Sequence, residues 1–341
     1  MSKRNNKGLL LAAMGAGAVF AARALMRKSN EYSMRGRVVL ITGGSRGLGL
    51  VMARELAREG AKLAICARDE EELIRAHADL RQYGAQVFAV PCDVTVRAQA
   101  EGMVQAAQDH FGRVDVLINN AGVIQVGPME VMTLEDYEEA MRIHFWAPLY
   151  TTLAALPEMR RRGEGRVVNI SSIGGKISVP HLLPYSVSKF ALVGLSEGLR
   201  AELAKDGIVV TTVCPGLMRT GSPRNATFKG QHHAEYAWFA ISDALPVTSM
   251  KAERAARQII TACKRGDAEV VLSVQAKLAA LFHGVFPGLT ADILGVVNGL
   301  LPDAGGIGTG RAKGKESESD LAPSWLTMLS DNAARENNEV N

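Results

Sequence analysis

The stretch Thr42-Gly43-Gly44-Ser45-Arg46-Gly47-Leu48-Gly49 constrains this chain more than any other. Before it, Arg37 to Thr42 is short and nearly all apolar, which predicts a strand buried on both faces. After it, Val51, Met52, Leu56 and Ala57 recur at helical spacing. A strand that turns through glycines into a helix lets backbone N–H groups approach a ligand, and the helix N-terminus there favours an anion. The stretch reads as a phosphate site carried by Gly43, Ser45, Arg46, Gly47, Leu48 and Gly49. A bare tight turn is the plainer alternative.

The alternation of strand and helix continues downstream. Lys62 to Cys66 reads as a second strand, ending at Ala67-Arg68-Asp69. In dinucleotide-binding folds an acid near this point takes the ribose 2′-hydroxyl. Here Arg68, with Arg46 in the glycine turn, supplies two guanidiniums, which suit a 2′-phosphate and favour NADP over NAD. Asp69-Glu70-Glu71-Glu72 reads as the acidic first turn of the next helix. Gln86 to Pro91 and Asp115 to Asn119 read as the third and fourth strands, followed by Cys92-Asp93-Val94 and Asn120-Ala121-Gly122. Later apolar runs end at Ser171, Val213 and Leu272. The pattern predicts a doubly wound, mainly parallel sheet with ligands at the carboxyl ends of its strands. The glycines, Arg68, Asp93, Asn119 and Ser172 all fall at those ends. Asp93 also reads as a local turn acceptor, and Asn119 and Asn120 as turn residues.

Tyr185 and Lys189 are four apart, so on a helix they share a face. A lysine ammonium close to a phenol favours the phenolate and lowers its pKa from about 10. That suits a general acid or base. Ser172, at the end of an apolar run, can hydrogen-bond the same substrate oxygen. Alone, such a pair more often lies on a solvated helix face.

Taken in order, these pieces resemble the short-chain dehydrogenase/reductase family from about Arg37 to Val271. The matching motifs are Thr42-Gly43-x-x-x-Gly47-x-Gly49, Asp93-Val94, Asn119-Asn120-Ala121-Gly122, Ser172 with Tyr185-x-x-x-Lys189, and Pro215-Gly216 with Thr220. The resemblance implies an α/β fold, a Rossmann-type parallel sheet of about seven strands in a single domain with tails, and a nicotinamide cofactor. It implies Tyr185 as acid/base, Lys189 lowering its pKa and binding the nicotinamide ribose, and Ser172 positioning a carbonyl. Asp93 and Asn119 would line the adenosine side, and Thr220 would hold the carboxamide. Val94, Asn120, Ala121, Gly122, Pro215 and Gly216 complete the implied cofactor contacts.

One position departs. Where the family usually carries an asparagine that helps hold a water relay to the lysine, this chain has His144, in Met141-Arg142-Ile143-His144-Phe145-Trp146. Histidine both donates and accepts, so a relay role is open, as is plain helix packing. If His144 joins the relay, activity should fall below its pKa.

At 341 residues and 47% hydrophobic, the chain has room for one large domain and tails. Boundaries are read at 36–275 for the oxidoreductase domain, 1–35 for an apolar N-terminal segment and linker, 276–301 for an apolar extension and 302–341 for a flexible tail. A net charge of +4, nearly balanced over the body, gives no nucleic-acid footprint. Four scattered cysteines read as buried thiols, and His232-His233 lacks a third ligand at metal spacing. Residues 8–26 form an apolar run with basic flanks, about 28 Å long as a helix against a bilayer core of about 30 Å. It reads as a membrane anchor, with a cleaved signal or a core helix as alternatives, and the cofactor argument puts the catalytic domain on the cytoplasmic side. Phe228, Tyr236, Trp238 and Phe239 lie where the family carries its substrate flap, and His181, Leu182 and Leu183 lie near the same pocket. Those aromatics suit a hydrophobic carbonyl or alcohol, or pack on the core. Residues 277–301, interrupted by Pro287 and Gly288, suit a substrate cap, a membrane surface or a homo-oligomer contact. The reading is a membrane-associated NADP(H)-dependent oxidoreductase. A catalytically silent dinucleotide sensor or scaffold, or an epimerase or dehydratase that recycles its cofactor, are the alternatives.

Overall fold

The computed structural model describes residues 31–245, 248–319, 322–324 and 327–340. The N-terminal apolar run at 8–26 lies outside them. The chain divides into residues 1–33 and 34–341, and the second unit carries the fold. Its seven main strands are β1 (Val38–Thr42), β2 (Lys62–Ala67), β3 (Val87–Pro91), β4 (Val116–Asn119), β5 (Gly165–Ile170), β6 (Ile208–Cys214) and β7 (Glu269–Val271). They form one parallel sheet in the order β7-β6-β5-β4-β1-β2-β3. The order reverses between β1 and β4, and a doubly wound sheet opens its ligand crevice at such a point.

The helices follow from apolar spacing. Helix α1 (Gly47–Arg58) buries Leu50, Val51, Met52 and Leu56, starting directly from the glycine turn. Helix α2 (Glu70–Arg81) is capped by Asp69, whose carboxylate accepts the Glu72 N–H at 2.9 Å. Helix α3 (Arg97–Phe111) precedes β4. Next, α4 (Leu134–Met141) runs through a π turn, Arg142–Trp146, into α5 (Ala147–Arg162). Helix α6 (Leu183–Leu203) carries both Tyr185 and Lys189. One core cluster joins Leu40, Ala64, Leu117, Val167 and Val210 of the sheet to Met103, Leu156 and Met159 of the helices.

Beyond β6, helix α7 (His232–Ala244) packs a second cluster of Val126, Leu182, Phe228, Tyr236 and Phe239. Helix α8 (Ala252–Arg265) returns to β7. Two helices, α9 (Val274–Val285) and α10 (Pro287–Asn298), then form a hairpin broken at Pro287. Within the stretch 302–341, read as a flexible tail, Ala312–Lys313 instead pairs antiparallel with Thr227–Phe228. Arg311 beside it pairs with Asp136 and Glu139. Helix α11 (Met328–Glu336) leads to residues 337–340. Among the described residues, no helix is long and apolar enough to cross a membrane. All four cysteines are buried and unbridged.

Candidate active site

The glycine turn closes only because it lacks side chains. Gly43 sits at φ +64, and a Cβ there would meet Ala121 Cα at 3.0 Å. A Cβ on Gly49 would lie 2.0 Å from the Gly43 carbonyl. Side-chain bonds from the neighbouring strand clamp the turn. Thr42 Oγ1 accepts the N–H groups of Asn120 and Ala121 at 3.0 and 3.1 Å. Asn120 Nδ2 donates to the carbonyls of Thr42 and Gly43. The Asn120 amide is therefore spent on shaping the turn. Two backbone donors, Gly47 N–H and Gly221 N–H, point into the groove and meet oxygen acceptors of residues 337 and 339. Oxygen ligands thus fit between the start of α1 and the loop after β6, as a dinucleotide phosphate requires.

The adenosine side is less simple than the sequence suggests. Asp93 Oδ1 accepts the Thr95 N–H and hydroxyl at 2.9 and 2.7 Å, the local turn role. Asn119 is wholly committed inside the fold: Nδ2 donates to Asn169 and Thr152, and Oδ1 accepts from Thr151. Its amide cross-links β4, β5 and α5, so the implied adenosine contact is corrected. Val94 is buried in the core. Arg68 is exposed at the end of β2. Arg46 pairs with Glu72 at 2.8 Å, and Ser45 donates to the same carboxylate at 3.0 Å. Glu72, read only as a helix-start acid, is thus part of the groove wall.

Ser172, Tyr185 and Lys189 converge at the carboxyl end of β5. Ser172 Oγ accepts the Gly174 N–H at 3.0 Å, and Ser172 and the Tyr185 ring both border Gly174. Lys189 is buried, its Nζ donating to the Ile170 carbonyl at 2.9 Å and lying 5.6 Å from the Tyr185 ring centre. The expected depression of the phenol is not what the protein's own groups produce. Burial pushes Tyr185 up to about 12, with the nearby Ser172 hydroxyl pulling the other way. Burial also pulls Lys189 down to about 7. A lysine so weakened is only partly charged at neutral pH, and desolvation of the phenol wins.

His144 is 1% exposed and sits in the π turn. Its Nε2 accepts the Val123 N–H at 3.2 Å, so the ring proton is on Nδ1. That Nδ1–H lies 2.8 Å from Ser188 Oγ, which donates in turn to the Tyr185 carbonyl at 2.8 Å. The imidazole also stands edge-on to the Tyr185 ring at 5.4 Å. Burial, helped by Lys189, holds its pKa well below 6.5. With both nitrogens engaged and no charge at working pH, His144 positions the start of α6. An acid limb from titration of His144 would therefore fall well below pH 6.5. A Cβ on Gly122 would come within 2.9 Å of His144 Nε2, so Gly122 is what admits the ring.

On the other wall, Thr220 is buried and its Oγ1 bonds Ser222 Oγ at 2.7 Å. The Pro215 carbonyl accepts the Ile173 N–H, and Gly216 lies against Ser273 and Ala276. Phe228 and Tyr236 are sealed in the second core, and of the four flap aromatics Trp238 alone is partly buried, its Nε1 donating to Glu235 at 2.7 Å. His181 binds the other Glu235 oxygen at 2.7 Å. Sequence reasoning missed Asp243. Its Oδ1 accepts the Met218 N–H, and its buried Oδ2 has no partner among the described residues. Burial lifts this carboxyl well above the usual range. Nothing in its local spacing marks it. Among the described residues, no group of metal-ligating side chains is assembled.

A "short chain dehydrogenase" sequence profile matches residues 37–229. Among curated proteins, a dehydrogenase/reductase SDR family protein 7-like from Anopheles gambiae is 33% identical over 77% of this chain and 84% of its own length. Dehydrogenase/reductase SDR family member 7B of Bos taurus is 34% identical over 82% of this chain and 86% of its own. Among solved structures, a short-chain dehydrogenase from Streptomyces avermitilis superposes with a TM-score of 0.67 at 31% identity, over 78% of this chain and 98% of that one. L-sorbose reductase from Gluconobacter frateurii, complexed with NADPH and L-sorbose, gives 0.64 at 25% identity, over 71% and 97%.

Proposed function

We propose, because the chain belongs to the short-chain dehydrogenase/reductase family, that it uses NADPH to reduce a carbonyl on a hydrophobic small molecule, with Tyr185 as the proton donor. The observation that carries this reading is the meeting of Ser172, Tyr185 and Lys189 at one strand end, behind the glycine turn. A bound nicotinamide supplies the hydride. The protein's part is to hold the carbonyl and deliver the proton. Tyr185, kept as a neutral phenol, can donate to the substrate oxygen. Ser172 accepts from Gly174 N–H, which orients its hydroxyl to polarise the same oxygen. Lys189, poised near 7, can return the proton and bind a ribose hydroxyl. A phenol that rests protonated favours reduction over oxidation.

Arg46 and Arg68 support NADP(H). Asp69 caps α2 and Arg68 is exposed at the end of β2, while Arg46 would exchange its Glu72 partner for a 2′-phosphate. The apolar cluster that includes Leu182, Phe239 and Trp238 packs against Tyr185 and supports a hydrophobic substrate. The α9–α10 hairpin supports a membrane setting. Leu281, Val296 and Leu300 are 66%, 70% and 81% exposed, and only Ala276 and Thr290 of the two helices are buried. So much exposed apolar side chain on one helix pair suits a lipid surface, with Lys277 and Asp292 left for the headgroups. Together with the apolar sequence at 8–26, this supports a membrane-associated protein with its catalytic domain on the cytoplasmic side.

The test is a spectrophotometric screen of ketones, aldehydes and lipid-like alcohols with NADPH and NADH. Net NADPH oxidation on apolar carbonyls is expected, with NADH at least tenfold less efficient. Cofactor binding without turnover on any compound supports a sensor, and product without net cofactor use supports an epimerase or dehydratase.

A further inference from the structure

The groove between the glycine turn and the Thr220 loop already holds a peptide, and that peptide belongs to this chain. Helix α11 ends at Glu336, and residues 337–340 then cross the start of α1. The Asn337 carbonyl accepts Gly47 N–H at 3.0 Å. Asn338 Nδ2 donates to the carbonyls of Ser45 and Glu72, while its Oδ1 accepts from Arg75 at 2.7 Å. Asn338 is left-handed, φ +60, a turn that asparagine tolerates and that aims the next residue inward. Glu339 follows, its Oε2 accepting Gly221 N–H at 2.5 Å and its carboxylate lying 3.2–3.5 Å from where a Gly47 Cβ would stand. A carbonyl and a carboxylate therefore face the α1 N-terminus and the opposing loop, as phosphate oxygens would.

We propose that residues 337–340 form a displaceable plug of the dinucleotide groove, holding Gly47 N–H and Gly221 N–H until a cofactor takes them. This rests on the dinucleotide reading above. One amide hydrogen serves one strong acceptor, so the plug and a pyrophosphate compete for the same donors. The plug is anchored outside the groove as well: Arg54 donates to Asn337 Oδ1 at 2.8 Å and to the Glu336 carbonyl at 2.9 Å. Those bonds keep the segment nearby after release. Its carboxylate is held at a desolvation cost, since burial lifts Glu339 to about 7 against the Gly221 bond and Arg46. Release to water recovers that cost. A tethered segment acts at an effective concentration of about 1 mM, so an intrinsic affinity of about 0.1 mM weakens cofactor binding about tenfold.

The experiment compares NADPH binding, by nicotinamide fluorescence, in the full chain, in a chain lacking residues 337–341, and in an Asn338→Ala/Glu339→Ala variant that keeps the backbone. Both changes should tighten the NADPH Kd about tenfold with the melting temperature retained. A peptide of residues 327–341 added to the truncated chain should weaken binding again, competitively. In the full chain, saturating NADPH should release hydrogen-exchange protection at residues 337–340. Unchanged Kd values in both variants, or protection at 337–340 that persists with NADPH bound, would overturn the plug while leaving the dinucleotide reading intact. Binding of no dinucleotide by any of the three proteins would overturn that reading, and the plug with it.

Discussion

The body from β1 to β7 and the hairpin from α9 to α10 stand in opposite relations to water. In the body, Val39, Ile41, Leu50, Leu63 and Ile65 are sealed at 0% exposure, and the central strands β1 and β4 are buried along their whole length. In the hairpin, Leu278, Leu281, Val285 and Leu289 are all more than half exposed. The hairpin is the more apolar of the two to read, so apolar content alone did not decide which became core. The body satisfies itself. The hairpin holds apolar surface for which the described residues provide no cover, and a surface of that kind marks contact with another phase or molecule.

The sharpest way to break this contrast is deletion of side-chain volume. Leu63→Ala should cost about 2–5 kcal/mol of unfolding free energy, because the sheet cannot collapse around the cavity. Leu281→Ala should stay within about 0.5 kcal/mol in vesicle-free buffer, as surface changes do. Denaturant melts measure both, and equal losses would put the hairpin in the core.

Lys189 tests the body from within. Its folded pKa near 7 lies below the unfolded value of 10.5, so the unfolded chain binds more protons between them. Stability from this group is complete above about 10.5 and is lost as pH falls towards 7. Lys189→Met should therefore raise neutral-pH stability by a few kcal/mol at most, less about 1 kcal/mol for the lost bond to Ile170, while removing turnover. A variant that melts lower than the parent at pH 7 would contradict the burial cost.

The lipid side of the contrast is read by an environment-sensitive probe on Leu289→Cys, with Val96→Cys on the body as control. Addition of anionic vesicles should blue-shift the first and leave the second unchanged. Equal behaviour at both positions would remove the distinction between the two regions.

The smallest effect belongs to His144. Its folded pKa lies below 6.5, so the neutral ring contributes stability that is lost as pH falls below 6.5. His144→Asn should blunt acid unfolding below pH 6.5, yet leave the pH dependence of turnover unmoved between 6 and 8. An acid limb in that range that disappears with the substitution would restore the relay role.

Much of this was legible in the chain. The strands of the main sheet fall within one residue or so of the apolar runs that announce them, since strands buried on both faces leave few alternatives. Asp69 as a helix cap was likewise readable from the acids behind it. What escaped depends on partners far away in sequence. Ala312–Lys313 is a strand only because Thr227–Phe228 lies beside it and Arg311 reaches Asp136. Phe228 became core because α7, which carries Tyr236, folds over it. The position of His144 was found by motif, but its tautomer is fixed by Val123 and Ser188, which no spacing rule connects to it. Glu339 was invisible for the same reason, its partners being Gly221 and Asn225. The pKa order of Tyr185 and Lys189 was misjudged because i, i+4 spacing reports proximity and says nothing of burial.

The central claim is that the Tyr185 hydroxyl hands a proton to a carbonyl beside a bound nicotinamide. Tyr185→Phe removes that oxygen and little else, so single-turnover reduction and NADPH affinity should be measured on the same preparation. The account predicts a fall in the reduction rate of at least about a thousandfold, with the NADPH Kd within about threefold of the parent. Reduction that persists at more than about a tenth of the parental rate would contradict it.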